Sequence, residues 1–237
     1  MKQAYIPKQH GAWSMLIVPF LFGLAATTPR AGHVLLFVAW LLVYLCSYPL
    51  LQWIRTGKRQ RYAKPVLIYG VLLAASGIPL LILYPRLGWL VAACIPLFAI
   101  NCYYARINRE RTFLNDLVAI IQFSLIVFAV YEIGGGRQWA DVLNLFGLSL
   151  VYFTGTIFYV KTIIRERNNP VVYGLSVAYH LVAAIAVGFV SIWLAIPFAV
   201  LLIRAIAIPR TTWTVKRTGI MEIGFSAMMV VFVFLFG

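Results

Sequence analysis

Acidic side chains are scarce in this sequence. Six Asp and Glu stand against twenty Lys and Arg among 237 residues, and none of the six precedes Glu110. Charged residues of either sign make up only 11% of the chain, whereas hydrophobic residues make up 63%. A soluble domain of this length exposes a large surface to water and cannot hide so much apolar area. The composition therefore excludes a soluble globular protein and predicts an integral membrane protein of one domain, residues 1–237.

Cysteine is also rare, and no metal-ligand motif occurs. The three cysteines, Cys46, Cys94 and Cys102, all lie in apolar stretches, and an odd number of them gives no disulfide framework. We expect them to be buried thiols that act as small apolar side chains. No His and Cys residues occur at the spacing that zinc sites use, so the sequence predicts no metal site.

Long apolar segments alternate with breaks that contain charged residues, Gly or Pro. Segments of about 20 residues are long enough to cross a bilayer as helices. The pattern predicts an all-α, polytopic membrane helix bundle of about nine transmembrane helices. The predicted spans are 12–28, 34–53, 65–84, 88–104, 113–132, 141–160, 171–189, 190–208 and 218–236. From Val171 no charged residue appears before Arg204, so length alone places the turn between the seventh and eighth spans, near Gly188.

The basic residues occur on alternate connections between these spans. Seventeen of the twenty, with Arg204 counted in the eighth connection, lie at the N-terminus or in the second, fourth, sixth and eighth connections. Only Arg30, Arg86 and Arg137 belong to the other side. Because basic loops stay in the cytoplasm, this asymmetry predicts a cytoplasmic N-terminus and a C-terminus outside. Orientation thus accounts for most of the net charge of +14, and nucleic acid is not predicted as a partner.

These basic connections form a predicted cytoplasmic mouth. The segment Trp53–Pro65 carries five basic residues and no acid. Its cations have two open roles: attraction of anionic lipid headgroups, or a phosphate pocket in which Arg binds oxygens in bidentate fashion. Asn101, Asn108 and Asn115 recur at intervals of seven, which would place them on one face if the helix continued. The side chains predicted to contact a ligand at the mouth are His10, Arg55, Arg59, Lys64, Asn101, Arg109, Asn115, Lys161, Arg165 and Glu166.

A few polar residues fall at mid-depth in the predicted spans. Gln122 in the fifth span and His180 in the seventh would each cost about 2–7 kcal/mol if left unpaired in hydrocarbon. We therefore expect both to face the bundle interior, where they bond other helices or line a cavity. Glu222, one turn into the ninth span, is expected to pair with an Arg or Lys from the cytoplasmic side.

The N-terminal stretch Pro7–Gly23, PKQHGAWSMLIVPFLFG, closely resembles the YwiC-like family of bacterial membrane proteins. Its His-Gly-Ala-Trp stretch is the most specific part of a resemblance that covers essentially the whole chain. The number of spans and the long second, fourth and sixth connections are similar, more distantly, to the UbiA superfamily of intramembrane prenyltransferases. The segments that carry this second likeness are Tyr48–Pro65, Tyr104–Asp116 and Tyr159–Asn169.

The UbiA-like resemblance implies a prenyltransferase whose carboxylates hold Mg²⁺ against a diphosphate. Here the first motif position has no carboxylate and the second has one, Glu166. We therefore predict a UbiA-like bundle in the bacterial plasma membrane that binds a lipid, isoprenoid or quinone-type ligand. The ligand's anionic head would lie at the basic mouth, and no cofactor is predicted. Two alternatives stay open: an active prenyltransferase with an acid-poor site, which would need Mg²⁺, and a small-molecule transporter.

Overall fold

Helices form all the regular structure of the described chain. The computed structural model describes residues 5, 10–136, 138–211 and 213–237, without the side chains of His10, Val215 and Lys216. The helices are α1 (His10–Ala25), α2 (Ala31–Thr56), α3 (Arg59–Leu83), α4 (Gly88–Arg106), α5 (Phe113–Ser124), α6 (Ile126–Gly134), α7 (Trp139–Ile164), α8 (Pro170–Val190), α9 (Ile192–Ala207) and α10 (Val215–Phe236). Short 3₁₀ turns, Pro85–Leu87 and Ile208–Arg210, adjoin α4 and α9. The prediction of an all-α fold is confirmed.

Within the described residues, eight helical segments are long and apolar enough to cross a membrane. α5 and α6 together form one of them, because only Leu125 separates the two helices. The remaining apolar helix, α1, has 16 residues, or about 24 Å at about 1.5 Å per residue, against a hydrocarbon core of about 30 Å. α1 packs against α5, α6, α7 and α10, and its Leu16 and Phe22 are fully buried. Protein therefore covers most of this helix, although Ile17 remains 38% exposed.

The turn between α8 and α9 lies at Ser191, not near Gly188. α8 continues through Val190, and Ser191 has extended backbone angles (φ −153°, ψ 121°). The Ser191 Oγ accepts a hydrogen bond from the Leu194 N–H at 3.4 Å, which is the usual N-cap role of serine. Gly188 stays helical, and a Cβ built there would lie 3.6 Å from the Ala195 Cβ. The predicted position was wrong because the glycine allows close packing of α8 and α9, while the serine makes the turn.

The three cysteines are free thiols, as the sequence predicts. Cys46 on α2 and Cys94 and Cys102 on α4 are each half-buried rather than fully buried. The expectation of complete burial was wrong because apolar stretches in a membrane bundle need not face the core.

The basic connections meet at one end of the bundle, called the basic end below. It comprises the α2–α3, α4–α5, α7–α8 and α9–α10 connections with the helix ends beside them. Three contacts join these connections in turn: Arg55 with Glu110 (3.3 Å), Arg165 with Asp116 (3.8 Å) and Arg167 with the Thr211 carbonyl (3.5 Å). The predicted convergence of the basic loops is confirmed. That the basic end faces the cytoplasm stays a prediction.

Two apolar clusters form most of the core. One joins α1 to α5–α10 and includes Phe22, Tyr152 and Met229. The other joins α1 to α2–α4 and α6 and includes Leu16 and Trp40. Because α1 contributes to both clusters, it lies between an α2–α4 side and an α7–α10 side of the bundle.

Candidate ligand site

A cavity of about 100 Å³ lies between α2, α4 and α5. Its lining consists of Trp40, Val43, Tyr44, Ser47, Leu51, Phe98, Asn101, Ala119, Gln122 and Phe123. Four of these ten side chains are aromatic, five carry a hydroxyl, amide or indole N–H group, and none is charged. The cavity therefore offers ring surfaces and a few uncharged hydrogen-bonding groups.

The lining residues of α2 share one face of that helix. Trp40, Tyr44, Ser47 and Leu51 are spaced by four, three and four residues, which is the periodicity of a single helical face. The indole N–H of Trp40 donates to the Leu16 carbonyl at 3.3 Å. This bond ties the wall of the cavity to the central helix α1.

Two of the predicted site residues meet inside this cavity. Asn101 Nδ2 donates to the Leu97 carbonyl at 3.0 Å and to Gln122 Oε1 at 3.3 Å. Gln122 thus lines a cavity as expected for a polar residue at mid-depth. The seven-residue asparagine spacing does not describe a continuous face, because α4 ends at Arg106 and Asn108 adopts a left-handed conformation (φ 54°).

Tyr44 supplies a hydroxyl that sequence reasoning missed. The residue is only 5% exposed, and its hydroxyl has no hydrogen-bond partner within the part of the chain that the structure describes. Its ring packs edge-on against Trp13 and Phe123, with centroids 5.1 and 5.9 Å away. The tyrosine lies in an apolar run and resembles a packing residue. The i, i+4, i+7 recurrence of Trp40, Tyr44 and Ser47 is the signal that could have found it.

An ion pair lies over the cavity at the basic end. Arg55, one turn beyond Leu51 on α2, has its Nη1 3.3 Å from Glu110 Oε1. Asn115 is one turn before Ala119 on α5, and its Nδ2 donates to the Glu110 carbonyl at 2.8 Å. The two predicted residues Arg55 and Asn115 therefore meet through Glu110, which was not predicted as a site residue.

A second ionic group joins α5 to α7. Lys161 Nζ and Arg165 Nη1 lie 4.0 and 3.8 Å from Asp116 Oδ2. Arg165 Nη1 also donates to the Arg111 carbonyl at 3.0 Å, and Lys161 lies 5.0 Å from the ring centroid of Phe113. Because Lys161 and Arg165 are one helical turn apart, both side chains reach the carboxylate of Asp116. Asp116, in the first turn of α5, was not among the predicted contacts.

The other predicted mouth residues do not join either ionic group. Arg59, Lys64 and Arg109 are exposed, and their side chains form no hydrogen bond or ion pair among the described residues. Glu166 accepts a hydrogen bond from Asn169 Nδ2 at 3.1 Å and lines a separate surface pocket of about 220 Å³. The side chain of His10 lies outside the described residues.

His180 belongs to a different region, a charged cluster inside the α7–α10 side. Arg204 Nη1 donates to both carboxylate oxygens of Glu222 at 2.9 and 2.7 Å, and Arg204 Nη2 donates to His180 Nε2 at 3.2 Å. Since His180 Nε2 accepts, its Nδ1 carries the proton and donates to the Ser176 carbonyl at 2.7 Å. The guanidinium carbon lies 4.1 Å from the Tyr159 ring centroid. The cluster thereby joins α7, α8, α9 and α10.

Two sequence expectations concern this cluster. The prediction that Glu222 pairs with a basic residue is confirmed. Arg204, however, is a helical residue of α9 with 2% exposure, so its assignment to the eighth connection was wrong. It is drawn inward because a buried carboxylate needs a partner in the same apolar surroundings.

The interior of the cluster is tightly packed against α7. A Cβ built on Gly155 would lie 3.2 Å from His180 Nε2 and 3.2 Å from Tyr179 Cε1. Three polar atoms at the cluster have no hydrogen-bond partner in the described ranges: Arg204 Nε, the Tyr159 hydroxyl and the Ser176 hydroxyl. All of the charged groups that the cluster contains are nevertheless compensated by each other.

Comparison with known proteins shows to which family the chain belongs. A family model described as YwiC-like protein matches residues 6–131, which contain α1 to α5, most of α6 and every residue that lines the α2/α4/α5 cavity. The chain belongs to the YwiC-like family. One YwiC-like relative, named uncharacterized protein YwiC in Bacillus subtilis (strain 168), is 35% identical over 222 residues, 93% of each chain. Another, from Haemophilus influenzae (strain ATCC 51907 / DSM 11121 / KW20 / Rd), is 31% identical over 224 residues, 94% of each chain. No solved structure matches this YwiC-like chain significantly.

Proposed function

We propose that this YwiC-like protein binds an amphipathic ligand dissolved in the membrane, an isoprenoid or quinone-type lipid, at the α2/α4/α5 cavity. The observation that carries the proposal is the position of this aromatic cavity, one helical turn from the Arg55–Glu110 ion pair at the basic end. A ligand there reaches the polar surface with its head and the bilayer with its tail. Such a half-apolar, half-polar place suits an amphipathic lipid and not a soluble metabolite.

The volume of the cavity limits what it holds. A cavity of about 100 Å³ corresponds to roughly three waters at about 30 Å³ each, whereas pockets for whole drug-sized ligands reach about 300–1,000 Å³. The cavity is therefore suited to one ring or a small head group. The tail of the ligand would lie outside, along the half-buried rim residues Val43 and Phe98.

The cations at the basic end could hold an anionic head group near this cavity. Arg55, Lys161 and Arg165 already have carboxylate partners. The exposed Arg59 and Lys64 are the more available phosphate ligands, because binding there displaces no ion pair. The proposal accordingly retains two ligand series, polyprenyl phosphates and quinones.

The two alternative functions receive less support. For a prenyltransferase, the described residues contain no group of three His, Cys, Asp or Glu side chains that could hold a metal ion. The carboxylates Glu110 and Asp116 at the basic end are engaged with cations. For a transporter, the intramembrane charges of Arg204 and Glu222 are the expected kind of residue, but they bind each other rather than line the cavity.

A cavity-filling variant tests the proposal. Ala119→Leu adds side-chain volume to the lining of the cavity, while Ala75→Leu makes the same change on an exposed position of α3. We expect ubiquinone-1 or farnesyl phosphate to raise the Tm of the purified wild type and of Ala75→Leu in a saturable manner, and to leave Ala119→Leu unshifted. Absence of a saturable shift in the wild type with every member of both series would refute the proposal.

A further inference from the structure

We infer that the group bound in the α2/α4/α5 cavity is an uncharged ring bearing a hydrogen-bond-accepting oxygen, as in a quinone, and that Tyr44 donates the hydrogen bond to this oxygen. The inference rests on the proposed function and narrows it from two ligand series to one. Three features of the cavity carry it: the charge of its lining, the state of the Tyr44 hydroxyl and the amide pair beside it.

The lining contains no charged side chain among its ten described residues. An anionic phosphate inside it would give up its hydration without gaining a counter-charge, which is strongly unfavourable in an apolar interior. The nearest cation on α2, Arg55, lies one turn outside the cavity and is already paired with Glu110. A phosphate head therefore stays at the surface of the basic end, and the cavity selects an uncharged group.

The Tyr44 hydroxyl is a donor without an acceptor. It is buried and has no partner in the described ranges of the chain, yet the residue lines the cavity. Several other buried hydroxyls also lack a partner among the described residues, such as those of Tyr131 and Tyr159, but Tyr44 is the one of them that lines this cavity. Because the residue lines the cavity, a ligand oxygen placed against the Tyr44 hydroxyl would give this buried donor its hydrogen bond.

The amide pair offers a second donor. Gln122 uses its Oε1 to accept from Asn101, and no hydrogen bond from Gln122 Nε2 is present within the described residues. Aromatic side chains provide the walls around these donors, with the Trp40 and Phe123 rings 5.4 Å apart in an edge-to-face arrangement. Ring faces and edge donors together are complementary to a planar ring with oxygen on its edge.

The test measures binding of two probes to the protein in detergent micelles. Ubiquinone-1 is the uncharged ring with carbonyl oxygens, and farnesyl phosphate is the anionic lipid. Tyr44→Phe removes only the hydroxyl, so we expect it to bind ubiquinone-1 about five- to tenfold more weakly than the wild type, which is the loss of one hydrogen bond. Tyr131→Phe removes a hydroxyl from a buried tyrosine of α6 outside the cavity lining, and its affinity should stay that of the wild type.

The outcomes separate the two proposals. Equal affinity of wild type and Tyr44→Phe for ubiquinone-1 would overturn the role of Tyr44, while binding by the wild type would keep the proposed function. Saturable binding of farnesyl phosphate alone would overturn the assignment of an uncharged ring. If neither probe binds the wild type, the proposed function falls together with the inference drawn from it. Because a buried hydroxyl without a partner does not stabilise the fold, the Tm of ligand-free Tyr44→Phe should equal or exceed that of the wild type, which shows that the variant is folded.

Discussion

The α2/α4/α5 cavity and the His180–Arg204–Glu222 cluster are both polar regions inside an apolar bundle, and they are built in opposite ways. The lining of the cavity is uncharged, and the Tyr44 hydroxyl has no partner among the residues that the structure describes. The cluster holds a full ion pair at 2.7 Å, in which each charge faces the other. The difference separates the role of holding helices together from the role of binding a ligand. Polar groups that bond each other hold helices together, whereas an unpartnered donor on a residue that lines a cavity is available for binding.

The largest expected effect comes from breaking the cluster. Glu222→Gln leaves the Arg204 charge buried without compensation, which should lower the free energy of unfolding by about 3–5 kcal/mol. Thermal unfolding of the purified protein measures the loss. The double variant Arg204→Met with Glu222→Gln removes the orphaned charge and should be more stable than Glu222→Gln alone. As a control, Arg86→Gln breaks an ion pair whose arginine is 83% exposed and should leave the Tm nearly unchanged. A Glu222→Gln protein as stable as the wild type would show that the cluster does not hold the α7–α10 side together.

The next effect concerns the packing around His180. Gly155→Ala places a Cβ 3.2 Å from a ring whose two nitrogens are both hydrogen-bonded, so the ring cannot move aside easily. We expect a loss of about 1–3 kcal/mol, as for other overpacked cores. Gly147→Ala on the same helix meets no atom within 4 Å and should be neutral or stabilising by up to about 1 kcal/mol. Equal Tm values for the two variants would contradict the tight packing of the cluster.

A smaller effect distinguishes a bonded hydroxyl from an unbonded one. Tyr152 and Ser226 join α7 to α10 through a buried contact of 2.9 Å, so Tyr152→Phe should cost about 1 kcal/mol because it strands the Ser226 hydroxyl. Tyr44→Phe strands no partner and should cost nothing in the absence of ligand. Paired thermal melts in one detergent measure both changes. A larger loss of Tm in Tyr44→Phe than in Tyr152→Phe would contradict the contrast between the cavity and the α7–α10 side.

The smallest effect is expected at the surface of the basic end. Asp116→Asn removes the carboxylate that contacts Lys161 and Arg165 at 4.0 and 3.8 Å. Partly exposed pairs of this length contribute about 0–1 kcal/mol. We expect a Tm shift close to the error of the measurement, together with stronger retention of anionic lipid because two cations are released. Native mass spectrometry at low and high salt measures how much anionic lipid each protein retains. The extra lipid bound by Asp116→Asn should be lost at high salt, because salt screens the two released cations. Unchanged retention would limit these cations to setting the orientation of the chain.

Much of the fold was predictable because hydropathy and charge act over whole segments. A bilayer requires long apolar helices, and charged side chains stay near its surfaces. Positions that depend on one side chain were harder. Gly188 and Ser191 lie in the same apolar run, and either could mark the turn in the sequence. The structure places Gly188 in the contact between α8 and α9 and Ser191 in the turn.

The site was less predictable because partners come from distant parts of the chain. Arg204 follows an apolar span and has the spacing of a loop cation, but a carboxylate 18 residues later draws it into the interior. Tyr44 is one of many aromatic residues in apolar runs, and its special feature is an unpartnered hydroxyl on a residue that lines a cavity, which a sequence does not reveal. Gln122 and His180 were both expected at mid-depth in the interior, yet they belong to different regions of the bundle.

The central position of α1 has a consequence for biogenesis. Phe22 of α1 and Met229 of α10 belong to one apolar cluster, although about 200 residues of chain separate them. At about 5–20 residues per second, the ribosome needs roughly 10 to 40 s to make the helix that covers this face of α1. During that interval α1 lacks its contacts with α10. Insertion of α10 thus covers this face of α1, and a chain truncated before α10 would present the uncovered face to the quality-control proteases of the cell.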